Sequence, residues 1–577
     1  MSIRHISKSG TTMSFDFDLN ESPPVGLEDV FGITTDEATT IRFKATDDFF
    51  PNPPGDLTYV VTSLPEFGTL EDPVNGPITK ANTALADFGN AVVYRAQEGY
   101  LGIDAFAFKA YDGGKVPSGG YSDETIVKIR ISPPIHVDDN PGGDPLQNGS
   151  AEHPFDTIQE AIDFAISSES IIVRPGTYSG AGNRDIDFNG KSVKIRSQDG
   201  PATCIIDCQR TSQAFIFHSG ETAEALLDGL TITNGQAFMG GGASCEKGSS
   251  PTITNCTFSG NRAVTSGGGL YVDESSPTVT HCTFSGNSAM WGAGMSNNYG
   301  SNPSVTDCNF TGNTATDWGG GMENFAFCTL TITGCTFSTN STAGDGGGIF
   351  DLLGVTILEG CTFKDNRATN GGGISAAGSY PILAGCIFSG NKATERGGGL
   401  YNDGSDSQLV NCLFSANTSQ RWGGGLYCSD SSPILTNCTF ADNRAVTAGG
   451  AMRNLGSSAP TLTNCIVWGN TVVQIDPADS VTVTYSNVES RLPLPGEGNL
   501  NMDPLFADRA NGDYHLKSQA GRWNPANQCW VSDDVTSPCI DAGDPASPFD
   551  LEPAPNGGRI NLGAYGGTTQ ASKSPQP

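Results

Sequence analysis

"TNCTFSGNRAVTSGGGLY", from Thr254 to Tyr271, decides the fold, because close copies of it recur along the chain. "THCTFSGNSAMWGAGMS" begins at Thr280, "AGCIFSGNKATERGGGLY" at Ala384 and "TNCTFADNRAVTAGGAMR" at Thr436. Cysteine stands at Cys256, Cys282, Cys308, Cys335, Cys361, Cys386, Cys412, Cys438 and Cys465, in steps of 25 to 27 residues. Two residues after each comes Phe258, Phe284, Phe310, Phe337, Phe363, Phe388, Phe414 or Phe440, and finally Val467. Five residues after each comes Asn261, Asn287, Asn313, Asn340, Asn366, Asn391, Asn417, Asn443 or Asn470. Three residue types repeating in step at this pitch denote a solenoid, whose units bury their apolar faces only by stacking.

The runs "SPTITNCTF" and "GGGLYV" alternate apolar and polar positions as strands do. No copy contains an amphipathic helix, which excludes the helical solenoids. One strand-and-turn circuit of about 26 residues is the coil of a parallel β-helix. Coils stacked at about 4.8 Å place like on like, which predicts a Cys, a Phe and an Asn ladder. The asparagine is expected to close a turn by bonding backbone above and below, and to tolerate left-handed φ. The glycine runs, such as Gly267 to Gly269 and Gly319 to Gly321, suit a crowded corner. The ladder cysteines are odd in number and share their face with Phe, so they read as packing thiols. In the tail, Cys529 and Cys539 are spaced so that they could bridge.

The pattern "CTFSGNxAxxxGGGLY" resembles the repeats of polymorphic outer-membrane proteins and the wider pectin-lyase-like, right-handed β-helix group, over residues 137–490. The resemblance implies the fold and leaves function open, since lyases, hydrolases, adhesins and fibres share it. "DDNPGGDP" and "PFDTIQEAI" resemble the entry segments of that group. Ile158, Ala161, Ile162 and Ala165 have helical spacing and Thr157 with Glu160 forms a capping-box pair, so a capping helix is expected over 156–167. Upstream, "LTYVVTSLPEFGTL", "NAVVYRAQEGYLGIDAFAFKAYDGG" and "ETIVKIRI" read as sandwich strands and resemble cadherin-like, immunoglobulin-type modules of bacterial surface proteins. Some such modules bind Ca²⁺; Asp47, Asp48, Asp104 and Asp112 match acidic positions of the pattern, and a turn aspartate equally caps backbone N–H groups. "NMDPLF", "SPCIDAGDP" and "GGRINLGAYGG" resemble the closing segment of bacterial extracellular repeat proteins.

The expected fold class is therefore all-β: a right-handed parallel β-helix with an N-terminal immunoglobulin-like or cadherin-like β-sandwich and a loop-rich C-terminal cap. The divisions are an N-terminal tail 1–24, a sandwich 25–133, the β-helix 137–490, and a cap and tail 491–577. Of 577 residues, 62 are acidic and 31 basic, for a net charge of −31. That balance disfavours nucleic acid and anionic membranes as partners and permits Ca²⁺. No run reaches the roughly 18 apolar residues of a membrane span. "MSIRHISKSGTTMSFDF" lacks a signal-peptide core, yet the composition and resemblance imply an extracellular or cell-surface protein, expected as a monomer.

Chemistry is sought on the outer face. The row after each glycine corner is Tyr271, Ser296, Glu323, Phe350, Ser375, Tyr401, Tyr427, Arg453, and it is expected to face outward. The column before each corner is Ser266, Trp291, Trp318, Asp345, Asn370, Arg396, Trp422, Ala448. Trp291 and Trp318 on adjacent coils are expected to stack as a platform. Trp291, Trp318, Trp422, Tyr271, Tyr401 and Tyr427 are the candidate carbohydrate-binding residues. A hydrolase needs two facing carboxylates, and Glu323 with Asp345 or Asp317 is the best pair; Arg396 stands where a lyase would place its base. The regularity of the repeat favours a non-catalytic adhesion or display protein that grips polysaccharide or a cell-surface glycan without a cofactor. The alternative is a polysaccharide lyase or glycoside hydrolase.

Overall fold

A computed structural model describes residues 2–9, 12–18, 25–26, 30–34, 38–46, 57–113, 120–139, 143–491 and 494–575. The chain divides into two compact units, Met1–Val173 with Lys191–Ile195, and Arg174–Gly190 with Arg196–Pro577.

In the first unit, alternating apolar residues pack two sheets face to face. The 5-stranded sheet runs Thr83–Ala84, Thr58–Ser63, Gly102–Tyr111, Thr125–Ser132, Val30–Thr34, and the 4-stranded sheet runs Ala38–Arg42, Ala91–Ala96, Gly68–Asp72, Gly76–Ile78. Ile41, Tyr59, Val61, Tyr94, Phe106, Phe108 and Ile129 fill the core between them, with Phe43 stacked on Phe108 at 4.3 Å. The helix forms at Ile158–Phe164, with Thr157 Oγ1 accepting from Glu160 N and Ile158, Ala161 and Ile162 buried. It is shorter than the periodicity predicts, because Ala165 turns extended. Lys191 Nζ then donates to the freed carbonyls of Ile162, Asp163 and Ala165 at 2.7, 3.0 and 2.8 Å. Glu169 is buried, yet it is satisfied by Arg130 Nη2, Ser132 Oγ and Ile166 N.

The second unit is the solenoid. A middle coil contributes one short strand to each of four parallel sheets, illustrated by Thr252–Thr254, Thr257–Ser259, Arg262–Ala263 and Leu270–Asp273. These belong to an aliphatic sheet, a 13-stranded Phe sheet, a 9-stranded corner sheet and a 12-stranded floor sheet, respectively. Inward residues form vertical rows: Ile253, Val279, Val305 and Ile332 in the first sheet, the phenylalanines in the second, and Ala263, Ala289 and Ala315 in the third. Rings from Phe258 to Phe440 stack at 4.4 to 5.0 Å, nearly parallel.

Fixed pitch also satisfies buried polar groups. Asn287 Nδ2 donates to Phe258 O at 2.9 Å and to Asn313 Oδ1 at 3.0 Å, and Asn287 N donates to the same oxygen. The ladder ends where Gln474 Oε1 accepts from Asn470. The ladder asparagines are not the left-handed residues. That role falls one place earlier, to Gly260, Gly286, Gly312, Thr339 and Asp365, and likewise just before each cysteine, to Asn255, His281 and Asp307. The side chain that bonds across coils needs ordinary backbone, and the turn is made by its neighbour. All ladder cysteines are buried and unpaired. Cys529 and Cys539 do not bridge: Cys529 is exposed, and Cys539 Sγ accepts from Asn487 Nδ2 at 3.1 Å.

The start of the tail stacks on the last coil, with Leu500 N donating to Ser486 O and Val488 N to Leu500 O, and the rest runs back along the solenoid side. Phe506, Tyr514, Leu516, Cys539, Ile540, Leu562 and Ala564 pack on Leu413, Ala441 and Ile466, along the side of the last coils of the Phe sheet. Asn411 Nδ2 donates to Ala564 O and Gly566 O, and Ala564 N donates to Thr439 Oγ1.

Candidate functional site

The corner between the corner sheet and the floor sheet is concave. Gly267, Gly319 and Gly423 have φ of 68°, 65° and 65°. A Cβ on Gly319 would lie 3.0 Å from Glu323 Cβ, and one on Gly423 2.8 Å from Tyr427 Cβ. The chain therefore doubles back, and the residue before the glycines leans over the residue after them. Glycine is required because any side chain there would strike the floor.

Register confirms both rows. Ser266, Trp291, Trp318, Asp345, Asn370, Arg396, Trp422 and Ala448 bridge in order. Tyr271, Ser296, Glu323, Phe350, Ser375, Tyr401, Tyr427 and Arg453 likewise pair coil to coil. The expectation that the second row faces solvent is corrected: Tyr271, Glu323 and Tyr427 are 5%, 2% and 2% exposed. They point away from the solenoid core, but the concave corner roofs them with the tryptophan column.

Two clusters result. In the first, Trp291 and Trp318 stack at 5.9 Å and 16°, and Trp318 stacks on Phe350 at 5.1 Å. Both faces of Trp318 are thus covered, so its edge meets the solvent side. With Phe238, Met239, Tyr271, Tyr299, Glu323 and Phe325 the pair lines a cleft of about 580 Å³. Phe238, Met239, Tyr299 and Phe325 carry no repeat signal and escape a reading based on period. Glu323 Oε2 accepts from Ser296 Oγ at 2.7 Å, and burial pushes its carboxyl up to about 7. Burial, with Asp273 and Glu246 nearby, holds the Tyr271 hydroxyl well above its usual range.

In the second cluster, Tyr401 and Tyr427 stack at 5.5 Å, and the Arg396 guanidinium lies 5.6 Å from the Trp422 ring and 5.7 Å from the Tyr427 ring. Tyr401 is raised to about 12 by burial first and Asp403 second. Asp345 Oδ1 accepts from Asn370 Nδ2 at 2.9 Å, and burial raises its carboxyl. Asp317 is exposed beside Trp318.

Of the calcium candidates, Asp104 and Asp112 are described. Asp47 and Asp48 lie outside the described residues. Asp104 is a backbone cap: its carboxylate accepts from Glu66 N, Phe67 N, Ala105 N and the Tyr94 hydroxyl at 2.8 to 3.0 Å. Asp112 accepts from Gly120 N at 2.8 Å. Among the described residues no group of three or more His, Cys, Asp or Glu is arranged to hold a metal ion. No helix among them is long and apolar enough to cross a membrane.

A stacked parallel coil with an outer-face cleft defines a β-helix protein. The family model for the right-handed β-helix region matches residues 177–352 and 326–489, and the chain belongs to that family. A model described as disaggregatase related matches residues 477–543. No curated protein matches the chain. Among solved structures, pectate lyase Pel9A is similar at 13% identity over 75% of this chain and 96% of its own, with a TM-score of 0.35. A rhamnogalacturonan lyase is similar at 11% identity over 64% and 90%, with a TM-score of 0.23.

Proposed function

We propose that this protein is a non-catalytic, extracellular or cell-surface β-helix that binds a polysaccharide or cell-surface glycan on its concave outer face. The observation that carries the reading is the cleft of Trp291, Trp318, Tyr271, Tyr299 and Phe325, an aromatic-walled space sized for sugar rings. The Arg396, Trp422, Tyr401 and Tyr427 cluster serves as a second contact on later coils of the same face. In this reading the solenoid is of the polymorphic outer-membrane-protein type, the N-terminal sandwich is a cadherin-like spacer, and the protein acts as a monomer without nucleic acid. A panel of polysaccharides, read by affinity retardation in gels and by release of reducing ends or unsaturated products, tests it. Retardation without products is expected, weakened at least about tenfold by Trp318→Ala. Products from any polysaccharide would overturn the non-catalytic reading.

One observation favours catalysis instead. A carboxyl held neutral near pH 7 has the protonation of a general acid, and Glu323 is such a group. Its partner would be Asp345 or Asp317, but Asp345 is occupied by Asn370 and Asp317 is exposed. If this reading holds, Glu323→Gln abolishes products while retardation survives.

A further inference from the structure

The cleft has a property that sugar stacking alone does not use. Glu323 is buried among aromatic side chains and is bonded by Ser296 Oγ. Burial raises its carboxyl and the Ser296 bond lowers it, and among the described residues no cation pairs with it. The other wall residue Tyr271 stands among acidic side chains. The Tyr271 hydroxyl feels Asp273, Glu246 and Glu323, and Asp273 feels Glu274 and Glu246. Two further buried atoms at the same place, Asp273 Oδ1 and Trp291 Nε1, have no hydrogen-bond partner.

Three ligand chemistries can be compared. An anionic sugar would meet the Glu323 carboxyl in the cleft and Asp273 and Glu246 near Tyr271. A neutral sugar would leave the carboxyl without a counter-ion. An inorganic cation requires several oxygen ligands, whereas the walls here are rings. An alkylammonium group satisfies both features at once, since it pairs with a buried carboxylate and is attracted to aromatic surfaces. We infer that the Trp291–Trp318 cleft selects a ligand carrying a protonated amine, with Glu323 as its counter-ion. The source is an amino sugar with its nitrogen unacetylated, or an alkylammonium headgroup; the first form rests on the glycan reading, the second does not.

The test is a tryptophan-fluorescence titration of the full chain at about pH 6, where amines are protonated. The probes are a glucosamine oligomer, its N-acetylated counterpart, choline, and dimethylbutanol as the neutral isostere of choline. The glucosamine oligomer is expected to bind about tenfold more tightly than the acetylated one. Choline is expected to compete and dimethylbutanol not to. Glu323→Gln should erase the preference for the unacetylated oligomer. A second readout needs no variant: near pH 7, cation binding ionises Glu323, so calorimetry in buffers of different ionisation enthalpy should detect proton release. Equal binding of both oligomers with no effect of choline overturns the inference and leaves the glycan reading standing. Choline binding without either oligomer upholds the ammonium inference in its headgroup form and overturns its amino-sugar form. Absence of binding by every probe overturns the ammonium inference, and the glycan reading then rests on the polysaccharide panel.

Discussion

At the scale of single residues, this protein contrasts buried groups that are satisfied with buried groups that are not. Asn340 is satisfied on every side: its Oδ1 accepts from Asn313 N and Nδ2, and its Nδ2 donates to Phe310 O and Asn366 Oδ1. Asn340→Ala strands several of those groups in the interior, and the expected loss is about 2–4 kcal/mol. Cys335→Ala removes a packing atom and should cost about 1 kcal/mol. Denaturant midpoints of the two variants check the ranking. Glu323 behaves oppositely, because burial raises its carboxyl to about 7 from the ordinary value of 4.5. Below the lower value both folded and unfolded chains are protonated and the group costs nothing. Between the two values the unfolded chain ionises first, so stability falls as pH rises and the loss is complete above the folded value. Glu323→Gln should therefore gain up to about 3 kcal/mol over wild type near pH 8 and nothing near pH 4. Parallel pH profiles of the two proteins would refute the argument. Asp351, raised by burial to about 6, shifts the same way over a narrower range.

At the scale of elements, like stacks on like until something must cover it. The outward row of the Phe sheet reads Thr257, Thr283, Asn309, Thr336, Thr362, then Ile387, Leu413, Thr439 and Ile466. Of the later residues, Leu413 and Ile466 are covered by the tail and Thr439 accepts from Ala564 N, while Ile387 stays exposed. The change from polar to apolar was legible in the sequence once the register was known. Without the register, "GGRINLGAYGG" resembled an end cap. Restoring the earlier polarity with Leu413→Thr and Ile466→Thr should loosen the tail while the coils persist. Limited proteolysis should then cut within 500–570 much faster than in wild type, with the solenoid core remaining intact. Simultaneous loss of both would show that tail and coils unfold as one unit.

For the whole molecule, the stacked ladders make a chemically quiet interior. Among the described residues, which include every cysteine, no cysteine forms a disulfide, and Cys529 alone is exposed. A thiol reagent should titrate about one group in the native protein and all 16 after denaturation. Native reaction of several thiols would mean that the coils open. Burial keeps the ladder thiols Cys282 and Cys438 protonated well above the ordinary range, which adds to their inertness. Function is left to the outer face, where the residues that depart from the repeat gather beside the concave corner.

The sequence by itself determined the period, the parallel stacking, the Cys, Phe and Asn ladders, and which residues share a column. It did so because each coil packs on a copy of itself, so interior positions must satisfy one geometry repeatedly. It also named Trp291, Trp318, Tyr271 and Glu323, which the cleft brings together. Tertiary structure alone decided that the glycine corner is concave, that the Tyr271 row is roofed, and that Phe238, Met239, Tyr299 and Phe325 complete the walls. Periodicity records which way a side chain points from its own strand. Whether that direction meets water depends on aperiodic residues of neighbouring coils, and those leave no trace in the repeat.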